Sequence, residues 1–332
     1  MPNKKFLVVY ILMPMLILVV FLFSLASGSN GISLIDVINV LFSNADDNIS
    51  LIIRQVRFPR VIIACVIGAG LAASGCVFQA ILKNPLADPF TLGISGGAAF
   101  GTTASFVFGF ASITSFFTPF CAFIGVMISV FVVYCLSMQK RFNSNSMILS
   151  GVVVSYVFSA AVMLMFALSS ANNIQTAFIW LMGNFSTFDE RLLPFVIVVV
   201  IVGIIVLSLF GNIINAISLG DEKSKTIGIN VEKNIKFLFL TASFITAVTV
   251  SVCGIIGFVG LMIPHIMRKI VGANNILLIP ASAFAGAIFL PLCDTLSRVL
   301  LAPILIPIGA TTSIIGGSFF VWLLLKSRKS MS

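Results

Sequence analysis

Leu192 to Gly211 reads LLPFVIVVVIVGIIVLSLFG. It contains no charged residue, and at about 1.5 Å of rise per residue it is long enough to cross a hydrocarbon core of about 30 Å as one helix. Working outward from it, runs of the same kind recur along the chain. Ten spans are predicted: Phe6–Ala26, Pro59–Leu82, Thr91–Ala111, Phe116–Met138, Met147–Ser169, Leu192–Gly211, Ile235–Gly254, Ile256–Ile270, Ile276–Asp294 and Ile304–Leu325. Of the 332 residues 59% are hydrophobic and only 9% charged, with Lys and Arg mostly at the edges of apolar runs. A soluble domain carries about a quarter charged residues, whereas a chain solvated by lipid needs charge only where it meets water. The expected architecture is therefore all-α and polytopic, a single transmembrane domain over 1–332 with about ten helices. The eighth run is short, and its Gly257, Gly260 and Pro264 predict a steep or broken helix packed inside protein.

Orientation follows from the basic residues, which are retained on the cytoplasmic side. With the N-terminus inside, 14 of the 19 Lys and Arg fall there, against 5 (Arg54, Arg57, Arg60, Arg191, Arg298) on the other face. Both termini are expected in the cytoplasm. The net charge of +9 then reads as an orientation signal and not as a nucleic-acid footprint. Phe6–Ala26, with Lys4 and Lys5 before it and Ser27-Gly28-Ser29 after it, is longer than a signal-peptide core and is read as a retained span. The six cysteines are scattered singly without a CxxC pair, so they are read as small buried hydrophobes, with neither disulfide nor metal expected.

Three hydrophilic segments stand out. Ser27–Gln55 and Ala171–Arg191 are expected outside, the latter with an apolar centre at Phe178–Met182 that lies in the interface or dips inward. Asn212–Lys236 is expected inside, where Ser218–Gly228 reads as a short helix opened by acids and closed by a glycine. A solvated linker is the bland alternative, but the segment is longer than a helix connection requires, which favours docking of a partner. Gly93, Gly97 and Gly101, and Gly68 with Ala72, recur at the four-residue spacing that lets membrane helices approach closely, and are read as packing.

The chemistry available is limited. Of the ten acids, only Asp88 and Asp294 sit near a span, both expected at its end, whereas an ion-coupled carrier needs ionisable or broken-helix sites near the midplane. The lone His265 is read as a helix-end or interface residue rather than a catalyst or ligand. No Gly-Lys pair exists for a phosphate-cradling loop. No catalytic, cofactor or metal site is expected, and active transport would have to draw its energy from another subunit.

The motifs carry a resemblance over nearly the whole chain. Arg57-Phe58-Pro59-Arg60, Gly68 to Gly75, Gln79, Asn84-Pro85-Leu86-Ala87-Asp88-Pro89, Leu92 to Ala98, Leu219-Gly220-Asp221-Glu222, Gly228-Ile229-Asn230-Val231, Gly257 to Arg268, Asp294-Thr295-Leu296-Ser297-Arg298 and Ile306-Pro307-Ile308-Gly309 resemble the FecCD family of ABC-importer permeases. The resemblance implies a type II importer: two permease chains, a cytosolic ATPase dimer, and an extracytoplasmic binding protein delivering a ferric siderophore, haem or cobalamin, with an oxyanion such as molybdate less expected. It assigns ATPase coupling to the 212–236 loop (Gly220, Asp221, Glu222, Gly228) and a cytoplasmic gate turn to Asn84, Pro85 and Leu86. It assigns binding-protein docking to Arg57, Arg60 and Arg298, and the central pathway of a permease dimer to the fifth and tenth spans. Two departures are visible: Cys293 precedes Asp294 where many members have Ala, and Leu305 stands where many carry an acid, which makes the outer vestibule less acidic.

Overall fold

The computed structural model describes residues 4–28, 32–42, 48–139, 142–186, 188–220, 224, 226, 228–302 and 304–328. In chain order its helices are α1 Lys4–Ala26, α2 Leu34–Phe42, α3 Asn48–Ile81, α4 Ile94–Val107, α5 Phe117–Met138, α6 Ser144–Ala167, α7 Ala171–Leu181, α8 Glu190–Leu209, α9 Gly211–Ser218, α10 Val231–Cys253, α11 Val259–Val271, α12 Asn275–Val299 and α13 Ile308–Arg328. Among the described residues there is no strand, and eight helices are long and apolar enough to span a membrane. The other two predicted spans correspond to α4 and α11.

Burial sorts the helices into a centre and a shell. The most apolar stretches of α3 and α10 are 78% and 72% enclosed, against 17% for α1 and 22% for α8, so α3 and α10 form the core that the others wrap. Small residues make that centre possible. A methyl group on Gly68 of α3 would collide with the Gly286 carbonyl of α12, and one on Gly286 with the Gly68 carbonyl, so these two backbones interlock. Phe78 and Phe239 close the α3–α10 contact edge to face, with centroids 6.2 Å apart.

The third and eighth spans are shorter than predicted. The run Thr91–Ala111 becomes a 3-10 turn, Pro89–Leu92, followed by α4, which stops before a left-handed Gly109. The eighth starts only at Val259, after a non-helical Gly254–Gly257 segment and a left-handed Phe258. This fits the broken helix expected there. Such backbone is tolerated at depth because protein surrounds it: the Asn184 N–H donates to the Cys253 carbonyl at 3.0 Å and Gly309 N–H to that of Met182 at 3.0 Å. Thus the end of α7 and the Met182–Asn184 turn after it pack their backbone against the breaks that precede α11 and α13, while the side chains of Phe178, Ile179 and Met182 stay exposed.

Three further expectations are corrected. Asp294 lies within α12, a turn short of its end at Val299, and is 1% exposed. His265 lies mid-way along α11 against Phe319 and Phe320 of α13, which rules out the helix-end alternative of its reading. Cys76, Cys253 and Cys293 are buried, but Cys135 is exposed.

Candidate functional site

The expected site residues fall at opposite ends of the bundle. At the end predicted to face outward, α3 begins well before Pro59, so Arg57 and Arg60 sit one turn apart on a continuous helix. Arg298 meets them from α12. The residue that gathers them is Asp294. Its carboxylate accepts from Arg60 Nε (3.1 Å to both oxygens) and Nη2 (2.8 Å), and from Arg298 Nε at 3.0 Å. The two guanidiniums are only 13% and 10% exposed. This enclosure is why they need a shared counter-charge.

The remaining donors go to the end of α1. Arg57 Nη1 donates to the carbonyls of Leu25 (2.7 Å) and Ala26 (3.0 Å), and Arg298 donates to those of Ser27 (2.9 Å) and Ser24 (3.0 Å). The last carbonyls of a helix lack intrahelical partners and carry the negative end of its dipole, so two arginines cap α1. Arg60 also reaches Ser186 at 2.7 Å. The three arginines expected to dock a partner are thus brought together, but they are already engaged within the chain, and Arg57 is 7% exposed. With three cations to one anion, the cluster carries a net positive charge.

At the other end lies the turn after α3. Asn84 Oδ1 accepts from Leu86 N–H at 2.9 Å, an Asx turn that points Leu86 outward at 56% exposure. Gln79, one turn earlier, donates to the Leu261 carbonyl and accepts from Arg268, each at 3.1 Å. A cavity of about 240 Å³ opens here, lined by Gln79, Lys83, Asn84, Pro85, Ser218 and Arg268. The Asp88 carboxyl is turned inward, although the residue keeps some exposed surface. It accepts from Phe90 N–H at 3.2 Å and faces the backbone N–H of Phe258, and burial pushes its pKa up to about 6. It thereby joins the turn to the start of α11.

Of the expected coupling residues, Gly220 and Gly228 have φ of +112 and +83. Asp221 and Glu222 lie outside the described residues. Ser224 is buried and its hydroxyl lies 2.7 Å from the carbonyls of both Ala216 and Gly220, which folds the loop back on α9. The sequence reading missed Asp294 as the organiser of the arginines. The i,i+4 spacing of Asp294 and Arg298 was the available signal.

Residues 16–326 match the FecCD transport family. The chain belongs to that family. Among the relatives of this FecCD permease, the hemin transport system permease HmuU of Yersinia pestis is 32% identical, with 96% of each chain covered. The iron(3+)-hydroxamate import permease FhuG of Bacillus subtilis is 31% identical, covering 98% of this chain and 99% of its own. A solved structure described as an inward-facing conformation of a metal-chelate type ABC transporter superposes with a TM-score of 0.83 at 29% identity, over 96% of this chain and 98% of that one.

Proposed function

We propose that this chain is the membrane-spanning subunit of a type II ABC importer that carries a bulky iron chelate, foremost a ferric siderophore, inward across the cytoplasmic membrane. In this reading both termini are cytoplasmic. A binding protein delivers the chelate to the Arg57, Arg60 and Arg298 end, a cytosolic ATPase dimer seats on the 212–236 loop, and a second permease chain completes the pathway. Metal-chelate and hydroxamate transport by relatives supports the cargo class. HmuU is at the same distance as FhuG, so haem is the second reading, followed by cobalamin and molybdate.

The observation that carries the proposal is what Asp294 does. Among the described residues it is the acid buried within a span, and it is committed to two arginines. A coupling ion would need a carboxylate free to bind and release it. The same cluster puts a positive field at the delivery end, which draws in an acidic partner and weakens with salt. Arg60, whose Nη1 ends on an exposed Ser186 contact, is the arginine best placed to change partners. The test is uptake of a radioactive ferric hydroxamate by vesicles holding the assembled complex. Accumulation should require ATP and persist with an uncoupler. Accumulation that ignores ATP and collapses with the uncoupler would make the chain a secondary carrier.

A further inference from the structure

A single side chain ties α9 to α12. Asn215 Oδ1 accepts from the Asn275 backbone N–H at 2.7 Å and from its Nδ2 at 2.9 Å, while Asn215 Nδ2 donates to Asn274 Oδ1 at 2.8 Å. Asn274 is the N-cap of α12, its Oδ1 also accepting from Ile276 N–H at 3.1 Å. One turn before Asn215, Gly211 lies against the same place: a methyl there would meet Ile276 Cα at 2.9 Å. Asn275 is 4% exposed, and its Oδ1 faces Cys76 Sγ of α3 at 3.7 Å.

These contacts complete a connection from one end of the molecule to the other. Within the 212–236 loop, the part that follows α9 is held to α9 through Ser224 and Ala216. Asn215 holds α9 to the head of α12. Gly68 and Gly286 interlock α12 with α3, and Asp294, near the far end of α12, grips Arg60 and Arg298. Apolar helix surfaces can slide past one another by shear, whereas hydrogen bonds weaken steeply with misalignment. An amide suits the joint because it accepts and donates at once, which neither leucine nor a carboxylate does.

We infer that Asn215 is a positioning residue, the joint through which displacement of the 212–236 loop is delivered to the α3–α12 pair. This rests on the reading of that loop as the ATPase seat. Without the joint, ATP hydrolysis proceeds but moves the pathway in fewer cycles.

The test measures ferric hydroxamate accumulated per ATP hydrolysed in proteoliposomes holding the permease, ATPase and binding protein. This ratio does not change when a variant merely yields less folded protein. Asn215→Leu should lower it about tenfold, the scale of losing the two or three hydrogen bonds of one half-buried side chain, with ATPase copurification retained. Asn215→Asp keeps both acceptances from Asn275 and loses the donation to Asn274, so its ratio should fall about threefold. If Asn215→Leu does not fold, the Asp variant decides. A wild-type ratio in whichever variants fold overturns the joint. A wild-type complex in which the ATPase neither copurifies nor drives accumulation would instead overturn the proposed function, so the two failures are distinct.

Discussion

At the residue scale, Asp294 and Asp88 show how placement decides what a carboxylate does. Asp294 satisfies two enclosed guanidiniums, so Asp294→Asn leaves them without a counter-charge. Breaking such a pair costs about 3–5 kcal/mol. The thermal midpoint of the detergent-solubilised variant should drop accordingly, and an unchanged midpoint would mean that solvent or lipid phosphate already neutralises the arginines. Asp88 is the reverse case, because its ionised form is the disfavoured one. Its pKa is about 6 in the fold against an ordinary value of 3.8. Between those values the folded chain holds a proton that the unfolded chain has released, so its contribution grows as pH falls through 6 and is lost as pH rises through it. Comparing midpoints at about pH 7.5 and about pH 5.5, wild type should gain on Asp88→Asn at the lower pH. A constant difference between the two proteins would refute this. The arginine grouping was legible as a set of minority charges on one face, but the shared partner was not, because a span boundary drawn at Asp294 placed it at a helix end.

At the scale of elements, hydropathy located the long spans because lipid contact imposes both length and composition. It overran α4 and α11, which are enclosed by other helices and so need not match the bilayer. There the stops are set by local backbone, at Gly109 and at Gly254 to Phe258. The loop that follows α9 was read for its glycines. Gly228 has a φ of +83 with no neighbour within 4 Å of a methyl group placed on it, so a substitution there meets backbone strain and not a clash. Val is doubly unsuited, being β-branched at a left-handed position. Gly228→Val should therefore leave the spans folded but shift the loop, lowering cargo-stimulated ATP hydrolysis and ATPase copurification. Wild-type values of both would show that the loop's docking surface does not depend on this turn.

At the scale of the whole molecule, the exposed helix faces are unlike one another. Beyond the charged first turn of α8, its exposed residues (Phe195, Val198, Ile201, Val202 and Ile205 among them) are all apolar, as a lipid-facing helix requires. The faces of α6 and α13 are mixed. On α6, Tyr156 is 73% exposed and Ser159 and Ala160 are exposed beyond it. On α13, Ser313 and Ser318 are exposed, and a methyl group on Gly317 would meet nothing within 4 Å. Hydroxyls and small residues on a membrane-spanning surface favour either another helix, through close backbone approach, or a water-filled path. Both conditions are met if a second permease chain sets its own α6 and α13 opposite these, with the chelate passing between. A subunit working alone would instead present these hydroxyls to lipid. The prediction is that the intact detergent-solubilised complex contains two permease chains, this chain twice or paired with a closely similar one. Native mass measurement decides it, and a complex of ATPases with a single permease chain would show that the pathway runs within one subunit.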